Sequence, residues 1–226
     1  MLSLLENLHI VLGLAAAGVV FLPLLSQKGG KLHVWSGRFF VYSMTFIGIS
    51  ALILASLTVV PSEHSFESRA HGVLQMFIAL FLLAALQQGI GVFRYKVRKR
   101  KILSPRTIGF PLLLALSSFF MMFLGLWSRP LYSVIGGLAL ILATYQLLFW
   151  IRTQKDPRDW WPFHLTNMFV GGTLALVALN LEVVSRVFDL SIREMPMAIW
   201  LSPAYFMMPW MFWERAKYKS RRRKRK

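Results

Sequence analysis

The 226-residue sequence contains no cysteine, only nine acidic residues and only 15% charged residues. Without cysteine there can be no disulfides, no thiolate nucleophiles, no thiolate-bound zinc or iron–sulfur cluster and no covalently attached c-type haem. An ordinary soluble domain carries about 25% charged residues, so this chain has too few polar groups to cover a water-exposed surface. The sequence also lacks a GxGxxG or Walker-type phosphate-binding loop.

Apolar residues are abundant instead, at 56% of the sequence. Stretches of about 20 apolar residues, which is the length needed to cross a bilayer, recur along the whole chain. The breaks between them carry charge, proline or glycine, and the shortest break predicts a tight antiparallel hairpin at residues 128–130. We predict seven transmembrane helices: Leu4–Leu25, Phe39–Val60, Ala70–Phe93, Thr107–Trp127, Leu131–Ile151, Phe163–Val184 and Met197–Trp213.

The distribution of basic residues predicts the orientation of these helices. If the first loop is inside and the loops alternate, 22 of the 26 lysines and arginines lie inside and four lie outside. This is the asymmetry of the positive-inside rule. The fold class expected is therefore an all-α, polytopic seven-helix membrane bundle with its N-terminus out and its C-terminus in, placed in a cell inner or plasma membrane.

The basic runs at 94–101 and 215–226 directly follow predicted membrane helices. This position favours positive-inside anchoring and attraction to anionic lipids at the inner face over binding of nucleic acid. We expect residues 1–214 to form a single transmembrane domain and residues 215–226 to form a basic, disordered cytoplasmic tail.

Ionisable residues are few in the predicted membrane helices, and such residues are the default functional candidates of a membrane protein. The five histidines all fall near a predicted membrane face: His33 and His164 inside, and His9, His64 and His71 outside. A b-type haem needs two neutral imidazoles from different helices. We therefore predict haem b as a cofactor, held by His33 with His164 at the inner face and by His9 with His71 at the outer face.

Small residues lie on the same helix faces as two of these histidines and would leave room for a haem ring. Gly13 follows His9 by four residues, and Gly171 follows His164 by seven. Such residues also serve as ordinary packing contacts between membrane helices, so they do not decide the function alone.

An alternative metal site is formed by His64, Glu67 and His71, whose offsets place them on one face if the third helix begins early. Imidazole and carboxylate ligands suit zinc or iron, and the corresponding activity would be a metal-dependent membrane hydrolase.

A further alternative has no enzymatic activity at all. In that hypothesis the protein is a membrane subunit or scaffold whose histidines and basic faces bind lipid or a partner protein.

The segment around the first loop resembles a known family. LHIVLGLAAAGVVFLPLL followed by KGGKLHVWSGRFFVYSM is similar to an uncharacterised bacterial membrane-protein family, the domain of unknown function 2306, over about residues 8–44. The family pattern maps onto this sequence at His9, Gly13, Lys28, Gly29, Gly30, His33, Gly37 and Arg38, whereas Val34 replaces a basic residue that often follows the histidine in that family. The resemblance supplies no activity, but it implies that His9 and His33 matter together.

Overall fold

The computed structural model describes residues 2–60, 65–98, 101, 103–154, 156–189 and 195–223, and describes only the backbone at positions 2, 67, 182, 186 and 220–223. Within these ranges the chain is helical and contains no strand. Eight α-helices follow one another: α1 (Leu2–Val19), α2 (Phe21–Leu25), α3 (Lys31–Val59), α4 (Phe66–Gly91), α5 (Pro105–Trp127), α6 (Pro130–Ile151), α7 (Trp160–Phe188) and α8 (Met197–Arg223), with a 3-10 helix at Val92–Tyr95 after α4.

Among the described residues, six helical stretches are long and apolar enough to cross a membrane. Large apolar side chains such as Phe119, Phe120 and Phe123 of α5 are exposed, as expected of helices that face hydrocarbon. The chain is thus an all-α helical membrane bundle, as the sequence predicts. The six stretches are Ser3–Leu25, Lys31–Val59, Ser68–Tyr95, Pro105–Trp127, Pro130–Ile151 and Trp160–Ser185.

The last helix, α8, is less apolar than these six because it ends in basic residues, but it lies antiparallel to α7 along most of that helix. Near the start of α8, Asn180 donates to the carbonyl oxygen of Ile199 over 2.8 Å. Near its end, the Tyr218 ring stacks on Trp161 with ring centroids 4.3 Å apart. α8 therefore extends across the same height of the bundle as α7.

Local sequence features explain several helix boundaries. Gly29 adopts a φ of +81°, a left-handed conformation that suits glycine and reverses the chain between α2 and α3. Ser104 and Thr107 form a reciprocal capping box at the start of α5, and Pro105 occupies the first turn. The α5–α6 connection consists of Ser128 and Arg129 only, which confirms the predicted tight hairpin.

Two boundaries differ from the sequence prediction. α3 begins at Lys31 rather than at Phe39, so His33 lies in the first turn of α3 instead of before the helix. α8 continues to Arg223, so the basic segment that begins at Arg215 is helical where the sequence suggested disorder. The absence of helix breakers between Trp213 and Arg223 explains this continuation, since lysine and arginine are good helix formers.

Two large apolar cores hold the bundle together. One packs α4 and α7 against the α5–α6 hairpin, and the other packs α1, α3, α4, α7 and α8. The helix connections at 26–30 and 152–159 lie at the same end as the basic part of α8, because Tyr218 donates to the carbonyl oxygen of Arg158 and Lys28 interacts electrostatically with Glu214. We call this the basic end, and we call the end near residues 128–129 the opposite end.

Candidate functional site

Four helices form a closed ring inside the bundle. α1 packs against α3 and α7, and α4 packs against the same two helices. In this ring α1 lies diagonally across from α4, and α3 lies diagonally across from α7. The four histidines predicted as haem ligands are distributed one to each ring helix, so each predicted pair joins two diagonal helices. Ligand sites in helix bundles are built from side chains on helices that face each other in this way.

The inner pair, His33 on α3 and His164 on α7, lies at the basic end. His33 lies in the first turn of α3 and His164 in the second turn of α7, and both helices begin at this end. Both side chains are half-buried. The structure therefore places both members of this predicted pair at the same end of the ring.

Each of these two imidazoles is held by a backbone carbonyl on a neighbouring helix. His33 donates from Nδ1 to the carbonyl oxygen of Pro23 over 2.9 Å, and His164 donates from Nδ1 to the carbonyl oxygen of Gly89 over 2.7 Å. Pro23 and Gly89 lie in the last turns of α2 and α4, where carbonyl oxygens lack the usual partners within a helix. The bonds thus satisfy two helix ends and fix two imidazoles at the same time.

These bonds also decide the tautomer. A carbonyl oxygen can only accept a hydrogen bond, so Nδ1 of His33 and Nδ1 of His164 each carry the proton. In the neutral imidazole the lone pair then lies on Nε2, the atom available to a metal. A metal-ligating histidine characteristically donates its other ring N–H to a carbonyl or carboxylate in this manner.

The surroundings of the pair combine an aromatic wall with a basic group. Phe93 lies against His164 with ring centroids 4.6 Å apart. Lys28 donates from Nζ to the carbonyl oxygens of Pro23 and Leu24. Burial lowers the pKa of the Lys28 ammonium, and the carboxylate of Glu214 opposes this shift.

The glycines near the ring differ in what they do. A Cβ at Gly13 would lie 4.0 Å from Ile47, and a Cβ at Gly37 would lie 3.9 Å from Pro23, so either position would accept a methyl group without strain. Gly171 packs differently from the sequence expectation. A Cβ there would lie 3.2 Å from Leu86, so Gly171 serves the close packing of α7 on α4 rather than opening room beside His164.

The two histidines of the predicted outer pair, His9 and His71, lie at different levels along the axis of the bundle. His9 donates from Nδ1 to the Ser50 hydroxyl oxygen of α3 over 2.7 Å, and Ser50 in turn donates to the carbonyl oxygen of Ile47. His71 lies beside Gly72, which packs against Thr58 and Val59 of α3. The eight residues from Ser50 to Thr58 correspond to roughly 12 Å of helix, so the structure does not bring His9 and His71 to one level.

The alternative metal site lies partly outside the described residues. His64 is not described, and the Glu67 side chain is not described either. His71 is placed, and its Nε2 lies 3.4 Å from Nε2 of Gln75. In the part of the chain that the structure describes, no group of three or more metal-ligating side chains comes together.

The sequence reasoning did not predict the side chains and carbonyls that orient the histidines. Ser50 is a polar residue within an apolar stretch, and this pattern only weakly indicates a hydrogen-bond partner for a histidine. Pro23 and Gly89 contribute only backbone oxygens, so no residue type could have marked them. A buried Gln88–Trp150 bond, with Trp150 Nε1 donating to Gln88 Oε1 over 2.5 Å, also lies beside this end of the ring and was not predicted.

Comparison with known proteins adds no relative. No protein-family model, no curated protein and no solved structure matches this chain. The similarity of residues 8–44 to the domain of unknown function 2306 stays a prediction. The function is therefore inferred from the residues of the site alone.

Proposed function

We propose that this protein is a membrane electron carrier that binds b-type haem, which His33 and His164 would hold at the basic end. The observation that carries the proposal is that these two histidines lie near the starts of α3 and α7, at the same end of two diagonal helices of the α1–α3–α4–α7 ring. Each imidazole is held by a helix-end carbonyl in the tautomer that leaves Nε2 free. Haem bound there would supply one-electron transfer.

The chemistry of the donor set fits haem. Two neutral imidazoles on opposite helices are the ligands of a low-spin b-type centre, and a chain without cysteine offers no thiolate to compete with them. Lys28, Lys31 and Arg38 supply positive charge at the same end, as haem propionates require.

We infer that the basic end faces the cytoplasm of a cell with an inner or plasma membrane, and that α8 is a seventh membrane helix. The excess of lysine and arginine at this end supports the orientation. The antiparallel packing of α8 along α7 supports the seventh crossing. With this topology, a haem held by His33 and His164 would lie near the cytoplasmic face.

An absorption spectrum of the detergent-purified protein, expressed with ample haem supply, tests the proposal. We expect a sharp Soret band, and split visible bands after reduction with dithionite, because two imidazole ligands give low-spin haem. His33→Ala and His164→Ala should each remove the low-spin signal of the basic-end site. Thr173→Ala truncates another polar side chain of α7, whose hydroxyl donates to the carbonyl oxygen of Phe169 in the same helix, and should leave the spectrum unchanged.

Two results would contradict the proposal. The first is a folded wild-type protein that stays colourless after expression with ample haem and after titration with hemin. The second is a haem spectrum that survives in both the His33 and the His164 variant, since the haem would then be held elsewhere.

A further inference from the structure

A cavity opens at the basic end of the bundle, and neither histidine of the inner pair lines it. It has a volume of about 730 Å³ and lies between the last turns of α6, the segment before α5 and the start of α7. Three basic residues line it: Arg98, Lys101 and Arg152. Leu148 and Ile151 of α6 line it as well, and both are partly exposed on the outer surface of the bundle. The cavity thus joins a basic region to an apolar surface that faces the bilayer.

Arg98 is the unusual residue of this cavity because its charged side chain is only 7% exposed. Its Nη1 donates to the carbonyl oxygen of Phe149 over 2.7 Å, and its guanidinium lies 3.9 Å from the centroid of the Phe149 ring. Its Nε is buried and has no hydrogen-bond partner among the described residues. Burying a charge is costly unless it is paired and hydrogen-bonded, so the guanidinium is only partly satisfied by the protein.

The protein supplies only part of a counter-charge for Arg98. Asp159 is the acidic residue that lines the cavity, and it acts on Arg98 electrostatically. It does not form an ion pair with Arg98 in the described part of the chain, and its Oδ2 accepts from the backbone N–H of Asp156 over 3.1 Å. Three basic side chains thus face one carboxylate, and the cavity has a net positive charge.

The backbone around Arg98 is fixed and does not depend on a ligand. Gln154 accepts from the backbone N–H of Arg98 over 2.5 Å and donates to the carbonyl oxygen of Lys96 over 2.9 Å. Gln154 also donates to the carbonyl oxygen of Asp156 over 2.7 Å. These bonds tie the segment after α4 to the α6–α7 connection, so the basic wall of the cavity is built before anything binds.

We propose that this cavity binds the phosphate headgroup of an anionic phospholipid from the leaflet at the basic end. Arg98, Lys101 and Arg152 neutralise the phosphate, and Leu148 and Ile151 contact the first part of an acyl chain. Lipid is the occupant that fits, because the cavity combines a positive region with an apolar wall at the membrane boundary. Basic pockets between membrane helices on the cytoplasmic side bind anionic headgroups on the same physical grounds.

Native mass spectrometry of the full-length protein, released from nanodiscs with equal amounts of phosphatidylglycerol and phosphatidylcholine, tests this site. We expect the wild-type protein to retain phosphatidylglycerol preferentially. Arg98→Gln should lower the ratio of retained phosphatidylglycerol to phosphatidylcholine about fivefold, since one basic residue near a membrane surface contributes about 1 kcal/mol. The matched control is Arg158→Gln, an exposed arginine of the neighbouring α6–α7 connection that does not line the cavity.

Because Arg98 also contacts Phe149, Arg98→Gln changes packing as well as charge. A second variant therefore separates the effect on lipid binding from an effect on folding. Lys101→Gln combined with Arg152→Gln removes two exposed charges from the cavity and leaves the bonds of Arg98 in place. It should lower the retained ratio at least as much. The proposal is overturned if both variants keep the wild-type ratio, or if Arg158→Gln lowers it equally. It is also overturned if excess inorganic phosphate displaces the lipid completely, because the cavity would then bind a free anion.

Discussion

At the residue scale, the histidines of the basic end combine two roles in one bond. The Nδ1–H of His164 satisfies the carbonyl oxygen of Gly89 at the end of α4, and it also sets the tautomer that leaves Nε2 free. His33 does the same for Pro23. A buried helix end without such a partner would be unfavourable, so the fold itself holds these imidazoles in position.

The buried bond between Trp150 and Gln88 gives a direct test of packing at this end. Both side chains are about 1% exposed, and Gln88 also donates to the carbonyl oxygen of Thr107. Gln88→Leu would leave the Trp150 N–H buried without a partner. We expect a loss of about 1–2 kcal/mol in the free energy of unfolding, because an unsatisfied buried donor costs its desolvation energy.

Thermal unfolding of the detergent-solubilised protein measures this loss as a lower Tm. Gln75→Leu is the matched control, since it makes the same change on the exposed surface of the same helix. Its Tm should stay near that of the wild type. Equal Tm values for the two variants would show that the Gln88–Trp150 bond does not stabilise this end of the bundle.

The sequence predicts which histidines are candidate ligands but not which groups they bond to. The positions of all four candidate haem ligands follow from the rule that charged and polar groups in apolar helices are rare. Their hydrogen-bond partners do not follow, because Pro23 and Gly89 act through backbone oxygens that any residue would provide. The height difference between His9 and His71 depends on how α1 and α4 pack on α3, which is set by contacts far apart in sequence.

At the element scale, glycine contacts decide how closely the helices approach. A Cβ at Gly48 of α3 would lie 2.8 Å from Leu83 of α4, and a Cβ at Gly125 of α5 would overlap the backbone of Ser133 in α6. Membrane helices associate through such small residues, because no hydrophobic effect drives one apolar helix against another within lipid. The close approach of α5 and α6 therefore requires a residue without a side chain at Gly125.

We expect Gly125→Ala to lower the free energy of unfolding by about 1–3 kcal/mol, because the added methyl group must push backbone atoms apart. Gly137→Ala is the control, since a Cβ at Gly137 would meet no other atom within 4 Å. The control should be neutral or slightly stabilising, as alanine favours a helix more than glycine does. Equal stability of the two variants in thermal unfolding would contradict this account of the hairpin.

Helix positions were largely predictable, whereas helix partners were not. Apolar length and basic loops are local features, and they locate the six apolar helices and the hairpin at residues 128–129. The early start of α3 was missed because Lys31 and His33 are polar, although a helix that extends beyond the bilayer tolerates polar residues in its first turn. The contact between α1 and α7 joins segments more than a hundred residues apart, and no local pattern indicates it.

At the scale of the whole molecule, we predict seven membrane crossings with the basic end inside the cell. The chain has no cysteine, so a single introduced cysteine is the only thiol in each variant. With seven crossings, Gln27→Cys and Lys219→Cys should both react with a membrane-impermeant maleimide only after the membrane is opened. Arg129→Cys, at the opposite end, should react in intact cells. If α8 does not cross, the cysteine at position 219 will react on the same side as the cysteine at position 129.

We propose above that His33 and His164 hold one haem between diagonal helices of the ring. The most direct test is the reduced-minus-oxidised absorption spectrum of His33→Ala, His164→Ala and the double variant. We predict that each single variant loses the same low-spin bands and that the double variant loses no more, since two ligands of one iron act as a unit. Additive losses, or single variants that remove different bands, would show that the two histidines serve separate sites and would contradict the account.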